Sequence, residues 1–153
     1  MKIISVFETI NNQANKMIDS SNYKGTVKYI QMNIDKIINT KQYSNIALMY
    51  LNCGFINYKL TDYDSSIENF SKAIHFEKQY DSSIVRSKDI AYSGRSNSFF
   101  KNLNYKRAIE DKRKALEIRI NEGSNMLKSE LKFIDYKTIS SRFIDINSFD
   151  DKY

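Results

Sequence analysis

The chain contains few residues whose chemistry could support catalysis or metal binding. His75 is its only histidine and Cys53 its only cysteine. Acid–base catalysis needs a positioned partner for the histidine, and a metal needs several ligands at suitable spacing; neither is visible around His75. Cys53 stands beside Gly54 in an apolar-periodic segment, which indicates a small core residue and not a nucleophile. The sequence therefore predicts no enzyme activity, no catalytic residue, no metal and no cofactor.

A run of basic residues is the best argument for nucleic-acid binding. It comprises Lys106, Arg107, Lys112, Arg113, Lys114 and Arg119. Four pairs of opposite charge stand four residues apart: Lys106–Glu110, Arg107–Asp111, Glu110–Lys114 and Arg113–Glu117. Such spacing is typical of a solvated helix face that stabilises itself. We therefore favour a solvated face over nucleic-acid binding, with phosphate contact and an acidic protein partner as alternatives.

Size and composition favour one small intracellular domain. The 153 residues carry a net charge of +6, and a chain of this length buries enough surface to need no disulfide. A single cysteine cannot form an intrachain disulfide, which favours a reducing compartment, the cytoplasm. The N-terminal apolar run ends at Glu8, too short for a signal-peptide core, and no window approaches 18 apolar residues. We expect no membrane association.

An internal repeat is the main signal in the sequence. Residues 58–74 and 100–116 align when Tyr63 is placed on Tyr105. The same register pairs Lys59 with Lys101, Ile67 with Ile109, Glu68 with Glu110, Lys72 with Lys114, and Ala73 with Ala115. A weaker copy upstream contains Tyr23 and Val27 in matching positions. A repeat of this length predicts a solenoid of similar structural units.

Each copy has the pattern of two helices joined by a polar turn. In the middle copy apolar residues recur at helical steps, at Tyr63, Ile67, Phe70 and Ile74. Thr61 or Asp62 is a plausible N-cap for this helix, and the chain has no proline to interrupt it. We predict helices at 2–20, 23–39, 44–60, 63–80, 83–101 and 105–121, Gly123 as a C-cap, and a seventh helix at about 125–145.

This pattern resembles the tetratricopeptide repeat. In the middle copy the matches are Gly54 at the helix crossing, Tyr63 opening the second helix, Phe70 as its large knob and Ala73 as its late small residue. The third copy matches at Ser96, Phe99, Tyr105, Ala108 and Ala115, and the first at Ala14, Met17, Tyr23 and Ile30. The tyrosines lie 40 and 42 residues apart, against about 34 in the family. One extra turn in both helices accounts for the difference.

The resemblance implies an all-α fold, a right-handed superhelix of antiparallel helical hairpins. We expect a single domain at 1–146 and a frayed tail at 147–153. The repeats would occupy about 7–40, 47–80 and 89–122, and a C-terminal capping helix about 125–145, since a solenoid needs a polar-sided terminal element.

In this family the first helix of each pair lines a concave, partner-binding side. The resemblance places Leu48, Leu51, Phe55, Tyr58, Lys59, Ile90, Asn97, Phe100 and Lys101 there, with Ser93, Asn11, Asn15, Ile18 and Asp19 as further members. A helix apolar on two sides is either buried or adhesive. The apolar stripe from Leu48 to Tyr58 is therefore a binding groove, a surface covered by other helices of the chain, or a self-association surface.

A carboxylate clamp known in this family does not fit the chain. Asn15 and Asn52 match its asparagines, but Asn11, Ile90 and Gly94 stand where it needs cations. We predict a scaffold or adaptor that binds a peptide or helix of another protein. The alternatives are a homodimer formed through the apolar stripe and an RNA-binding helical repeat.

Overall fold

The computed structural model of the chain describes residues 5–79 and 88–126. Within these residues all regular structure is α-helical, so the predicted fold class is confirmed. The helices are α1 (Val6–Asp19), α2 (Tyr23–Ile38), α3 (Tyr43–Lys59), α4 (Tyr63–Glu77), α5 (Lys88–Lys101) and α6 (Tyr105–Met126). Each lies close to a predicted helix. The predicted capping helix lies almost wholly outside the described residues, and the handedness of the superhelix stays a prediction.

The helices belong to two compact units. The first contains α1 to α4 and the second contains α5 and α6. In the first unit each helix packs on the next along the chain, and in the second α5 packs on α6. Short antiparallel pairs that follow one another in this way form the arrangement of a helical repeat. We describe each unit by itself.

The turns inside the three helical hairpins share one conformation. A residue in the left-handed region follows each first helix: Ser21 (φ 60°), Thr61 (φ 61°) and Leu103 (φ 61°). The next N–H donates to a carbonyl five residues back, from Asn22 to Met17 (2.8 Å), Asp62 to Asn57 (2.9 Å) and Asn104 to Phe99 (2.8 Å). This bonding is the Schellman pattern, which satisfies carbonyls at a helix end.

The residue that completes each turn also caps the following helix. Its side-chain oxygen accepts a hydrogen bond from the N–H three residues on, from Gly25 to Asn22, Ser65 to Asp62 and Arg107 to Asn104. The prediction for α4 is therefore confirmed for Asp62, whereas Thr61 is the left-handed residue of the turn. A tyrosine then opens each second helix, as the repeat predicted.

The prediction that Gly123 ends the sixth helix is wrong. α6 continues through Gly123 to Met126. A glycine inside a helix costs about 1 kcal/mol relative to alanine, so it weakens a helix without obliging it to end. A C-cap also requires the left-handed conformation, and no glycine among the described residues has a positive φ.

Small residues allow the helices of each hairpin to cross closely. A Cβ atom on Gly54 would lie 2.8 Å from the Phe70 ring, closer than real contacts allow. Phe70 itself is fully buried. The residue twelve positions after Gly54 is the buried Ser66, and the same separation joins buried Ala14 to Thr26 and Ser96 to Ala108. In the second and third hairpins a hydrogen bond joins the two residues of the pair, Ser66 to Gly54 and Ser96 to Ala108.

Two ion pairs lie inside the hairpin of α5 and α6. Arg95 donates from Nε and Nη2 to the two carboxylate oxygens of Asp111, at 2.7 and 2.8 Å. Arg119 donates to Asp89, and both of these side chains are largely buried. Asp89 and Arg95 stand six residues apart on α5, and their partners stand on α6. The two pairs therefore join the helices at different heights. Among the described residues of this hairpin the buried apolar side chains are only Ala91, Phe99, Ala108 and Ala115, so the ion pairs add buried contacts between α5 and α6.

None of the described helices combines the length and apolar character that crossing a bilayer requires.

Candidate functional site

The outer face of α3 is the candidate binding surface of the first unit. α3 is buried on the sides that meet α2 and α4, and one stripe stays accessible. Its members are Asn45, Leu48, Asn52, Phe55 and Lys59, at steps of three and four residues. We call this set the α3 stripe. Leu48 is 41% exposed, a large apolar side chain on an otherwise half-buried face.

The predicted residues of α3 divide into accessible and buried side chains. Leu48, Phe55 and Lys59 belong to the α3 stripe, whereas Leu51 and Tyr58 are only 5% and 6% exposed. At 100° per residue, Leu51 and Tyr58 lie about 60–80° around the helix from Leu48, on the side toward the packed helices. The apolar stripe expected from the sequence is thus half packing surface and half outer face.

Phe55 links the α3 stripe to the core. Its ring meets Phe70 edge-on, with centroids 5.0 Å apart, a favourable arrangement for aromatic pairs. Tyr58 contacts Tyr63 across the hairpin turn in the same manner, at 5.5 Å. Phe55 therefore presents part of its ring outward while the rest is held by α4.

Lys59 ends the α3 stripe beside α2. Its ammonium lies 4.5 Å from the ring centroid of Tyr23, a cation–π distance. The hydrogen bond and positive charge of Lys59 lower the pKa of the Tyr23 phenol, because they favour the phenolate. Lys59 thus gives this end of the α3 stripe a fixed positive charge.

The predicted residues of α1 provide a second polar surface in the first unit. Asn15 and Asp19 are exposed, and Asn11 and Ile18 are half-buried. The side chains predicted on α1 are mostly polar, so α1 contributes hydrogen-bonding groups and little apolar area.

The predicted residues of α5 are more polar than those of α3, and fewer of them are buried. Ile90, Asn97 and Lys101 are half-buried, Ser93 is buried, and Phe100 is 57% exposed. The Ser93 hydroxyl and the Asn97 Nδ2 are buried without a hydrogen-bond partner among residues 5–79 and 88–126. Arg95, next to the position where a carboxylate clamp needs arginine, is bound by Asp111.

The basic run is organised differently from the pairs that the sequence suggested. Asp111 binds Arg95 across the hairpin, not through the expected Arg107–Asp111 pairing, and Arg119 is buried against Asp89. Lys114 pairs with Glu117 at 3.5 Å on the exposed face. The cations of α6 therefore divide into structural and solvated residues.

The two residues with potential chemistry have ordinary surroundings. His75 lies 2.8 Å from the Gln79 side chain and edge-on to Phe76. Cys53 is fully buried, and burial raises the pKa of its thiol to about 12. In the part of the chain that the structure describes, no group of three His, Cys, Asp or Glu side chains could hold a metal ion.

No protein-family model matches this chain, and no curated protein matches it significantly in sequence.

Proposed function

We propose that this chain is an interaction module of the tetratricopeptide-repeat kind, which binds a peptide or helix of another protein. The α3 stripe is the proposed surface within the first unit. The observation that carries the proposal is the pair Leu48 and Phe55, an exposed leucine and a partly accessible ring two helical turns apart on one face of α3. A single exposed leucine is ordinary on a protein surface, whereas apolar side chains that share an accessible face mark an interaction surface.

The chemistry of the α3 stripe suits an amphipathic segment. Burial of apolar side chains against Leu48 and Phe55 would drive binding, at about 25 cal/mol per Å² before entropic costs. Asn52 adds amide groups that can donate to and accept from a peptide backbone. Lys59 adds a positive charge at one end, which favours a segment with an acidic residue there.

The hairpin geometry supports the choice of family. Two hairpins share a crossing between two small residues twelve positions apart, and three turns share one conformation. Between Tyr23 and Tyr63 the extra length of the repeat lies in helices, because α2 and α3 have 16 and 17 residues. Both features suit tetratricopeptide-like units, and a scaffold or adaptor role follows from the family's usual use.

The test is a selection of binding peptides from a displayed random library, followed by affinity measurement on variants. We expect Leu48→Asp to weaken the selected peptides at least tenfold. The matched control is Met32→Asp on α2, because Met32 is also an exposed apolar residue of the first unit, at 68%. Circular dichroism of both variants should equal that of the unmodified chain.

Two results would contradict the proposal. One is a selection that yields no peptide, and the other is peptides that bind Leu48→Asp and the unmodified chain equally. Light scattering over a concentration series tests the remaining possibility, which is self-association through the α3 stripe. A dimer that Leu48→Asp dissociates would assign the α3 stripe to self-association instead of a foreign partner.

We also propose a cytoplasmic location. The lone Cys53 is buried and unpaired, which suits a reducing compartment where disulfides do not contribute to folding.

A further inference from the structure

An apolar surface surrounds the turn between α5 and α6. It consists of Phe100, Leu103, Tyr105 and Ile109, which are 57%, 72%, 51% and 53% exposed. We call this set the turn patch. The rings of Phe100 and Tyr105 meet edge-on at 5.3 Å, so the patch is continuous across the turn. Four large apolar side chains exposed together mark a binding surface more often than single ones do.

The equivalent positions of the other hairpins are either less exposed or polar. Tyr58 corresponds to Phe100 and is 6% exposed, and Val27 corresponds to Ile109 and is 9% exposed. Ser21 and Thr61 stand where the third hairpin has Leu103. Leu103 has a left-handed backbone and an exposed apolar side chain, and each of these features lowers the stability of the hairpin. A binding segment that covers Leu103 would account for a leucine at this position.

The charge around the turn patch is positive. Residues 100–114 contain six Lys or Arg and two Asp or Glu, and one of these acids, Asp111, is bound by Arg95. Lys106 and Arg107 are exposed directly after Tyr105. Two copies that met through this surface would bring like charges together, which opposes self-association. The patch therefore favours an occupant with apolar and acidic residues in one short segment.

The chain contains such a segment near its C-terminus. Residues 143–151 read Phe-Ile-Asp-Ile-Asn-Ser-Phe-Asp-Asp, with four large apolar residues and three acids but no cation. This composition complements both the apolar surface and the positive charge of the turn patch. The preceding stretch, 127–142, is by contrast basic, with four Lys or Arg and two acids.

The length of chain permits this segment to reach the turn patch. α6 runs 22 residues from Tyr105 to Met126, so its two ends lie about 32 Å apart at 1.5 Å per residue. The 16 residues from 127 to 142 span about 24 Å as the predicted capping helix, after which about three extended residues cover the remaining distance, and up to about 55 Å if fully extended. The segment can therefore return along α6 to its first turn without strain.

We propose that residues 143–151 bind the turn patch of the same chain. The apolar residues cover Leu103 and its neighbours, and the acids pair with Lys106 and Arg107. This contact lowers the exposure of the turn patch toward that of the equivalent apolar positions in the first two hairpins. It is a separate surface from the α3 stripe, so a partner bound on α3 and the C-terminal segment do not compete for the same residues.

Cross-linking of introduced cysteines tests the proposal in the full chain. Asn102→Cys places a thiol in the turn and Ser148→Cys places one in the segment. The native Cys53 does not interfere, because it is fully buried and its thiol pKa is raised to about 12. With a short bis-maleimide at micromolar protein, we expect intramolecular cross-linking at least tenfold faster than in the control pair Asn121→Cys with Ser148→Cys. Asn121 is exposed on α6, about 24 Å along the helix from Tyr105.

A charge exchange makes the test specific. Asp150→Lys with Asp151→Lys should slow the cross-link about tenfold, and adding Lys106→Asp with Arg107→Asp should restore it. Equal rates for the Asn102 and Asn121 pairs would overturn the proposal. So would products that are covalent dimers, because these place the segment of one copy on another. Indifference to the charge exchange would also overturn it.

Discussion

The hydroxyl of Ser66 donates a hydrogen bond of 2.8 Å to the carbonyl of Gly54, where α4 crosses α3. The hairpin of α5 and α6 contains the same contact in reverse, because Ser96 on the first helix donates to the Ala108 carbonyl at 2.6 Å. In both hairpins one residue is a serine and the other has at most a methyl group. The close approach of the backbones, and not the direction of the bond, is the common requirement.

The close crossing at Gly54 predicts that any side-chain atom added at this position lowers the stability of the fold. Gly54→Ala should lower the free energy of unfolding by about 1–3 kcal/mol, the usual cost of overpacking a core. Its Cβ would meet the Phe70 ring at 2.8 Å. Chemical denaturation of Gly54→Ala, Phe70→Leu and the double variant measures the effect. Because leucine vacates the space of the ring, we expect the double variant to be more stable than the sum of the single effects predicts. Simple additivity would contradict the clash.

The Arg95–Asp111 pair predicts a large loss of stability when one of the two side chains is removed. Asp111→Ala should destabilise the hairpin of α5 and α6 by about 3 kcal/mol, because it leaves a largely buried guanidinium without its carboxylate. Hydrogen exchange of peptides from α5 and α6 measures the effect locally. Glu117→Ala is the matched control, since its pair with Lys114 is exposed and should be worth under about 1 kcal/mol. Equal effects of the two substitutions would show that the buried pair contributes little.

The left-handed turn residues predict stabilisation by glycine. Thr61→Gly should raise the free energy of unfolding by about 0.5–1 kcal/mol, because a β-branched residue is strained at φ 61° and glycine is not. The neighbours Ser20 and Ser21 provide a matched pair, with φ of −88° and 60°. We expect Ser21→Gly to stabilise the chain and Ser20→Gly to destabilise it. Thermal or chemical denaturation distinguishes them, and the same sign for both would be inconsistent with backbone strain.

The buried Cys53 predicts a loss of stability at alkaline pH. Burial raises the pKa of its thiol from 9.0 to about 12, so the unfolded chain releases this proton first as the pH rises. The contribution of Cys53 is complete below pH 9 and falls between pH 9 and 12. Between pH 7 and 10 the unmodified chain should lose on the order of 1 kcal/mol more stability than Cys53→Ala. Tyrosines and lysines titrate in both proteins and cancel in this difference. Parallel pH dependence of the two would contradict the buried thiol.

Short sequence signals determined where the second helix of each hairpin begins. Asn22, Asp62 and Asn104 each precede a tyrosine, and each caps the helix that this tyrosine opens. Capping depends on side-chain oxygens and N–H groups three residues apart, so a short stretch of sequence contains all of the information. Tyr43 follows the same spacing, 20 residues from Tyr23 and from Tyr63. The tyrosine spacing therefore indicates that α3 begins at Tyr43, one residue before the predicted start at 44.

The side of α3 that faces outward was decided by tertiary packing. Leu48 and Leu51 have the same chemistry and stand three residues apart, yet Leu48 is exposed and Leu51 is buried. The periodicity of one helix shows which residues share a face, but the positions of α2 and α4 determine which face is covered. For this reason the sequence indicates which residues of α3 could form a stripe, but it does not separate the exposed members from the buried ones.

The partners of the charged residues also depended on the tertiary structure. Local spacing pairs Asp111 with Arg107, four residues away, whereas the fold brings Arg95 from α5 into bidentate contact. A planar guanidinium aligned with both oxygens in a sheltered site binds more strongly than an exposed pair on one helix. By itself, the sequence of this protein determined its helices, its turns and its repeat. The assignment of each side chain to core, ion pair or surface followed from distances between helices, which no local pattern contains.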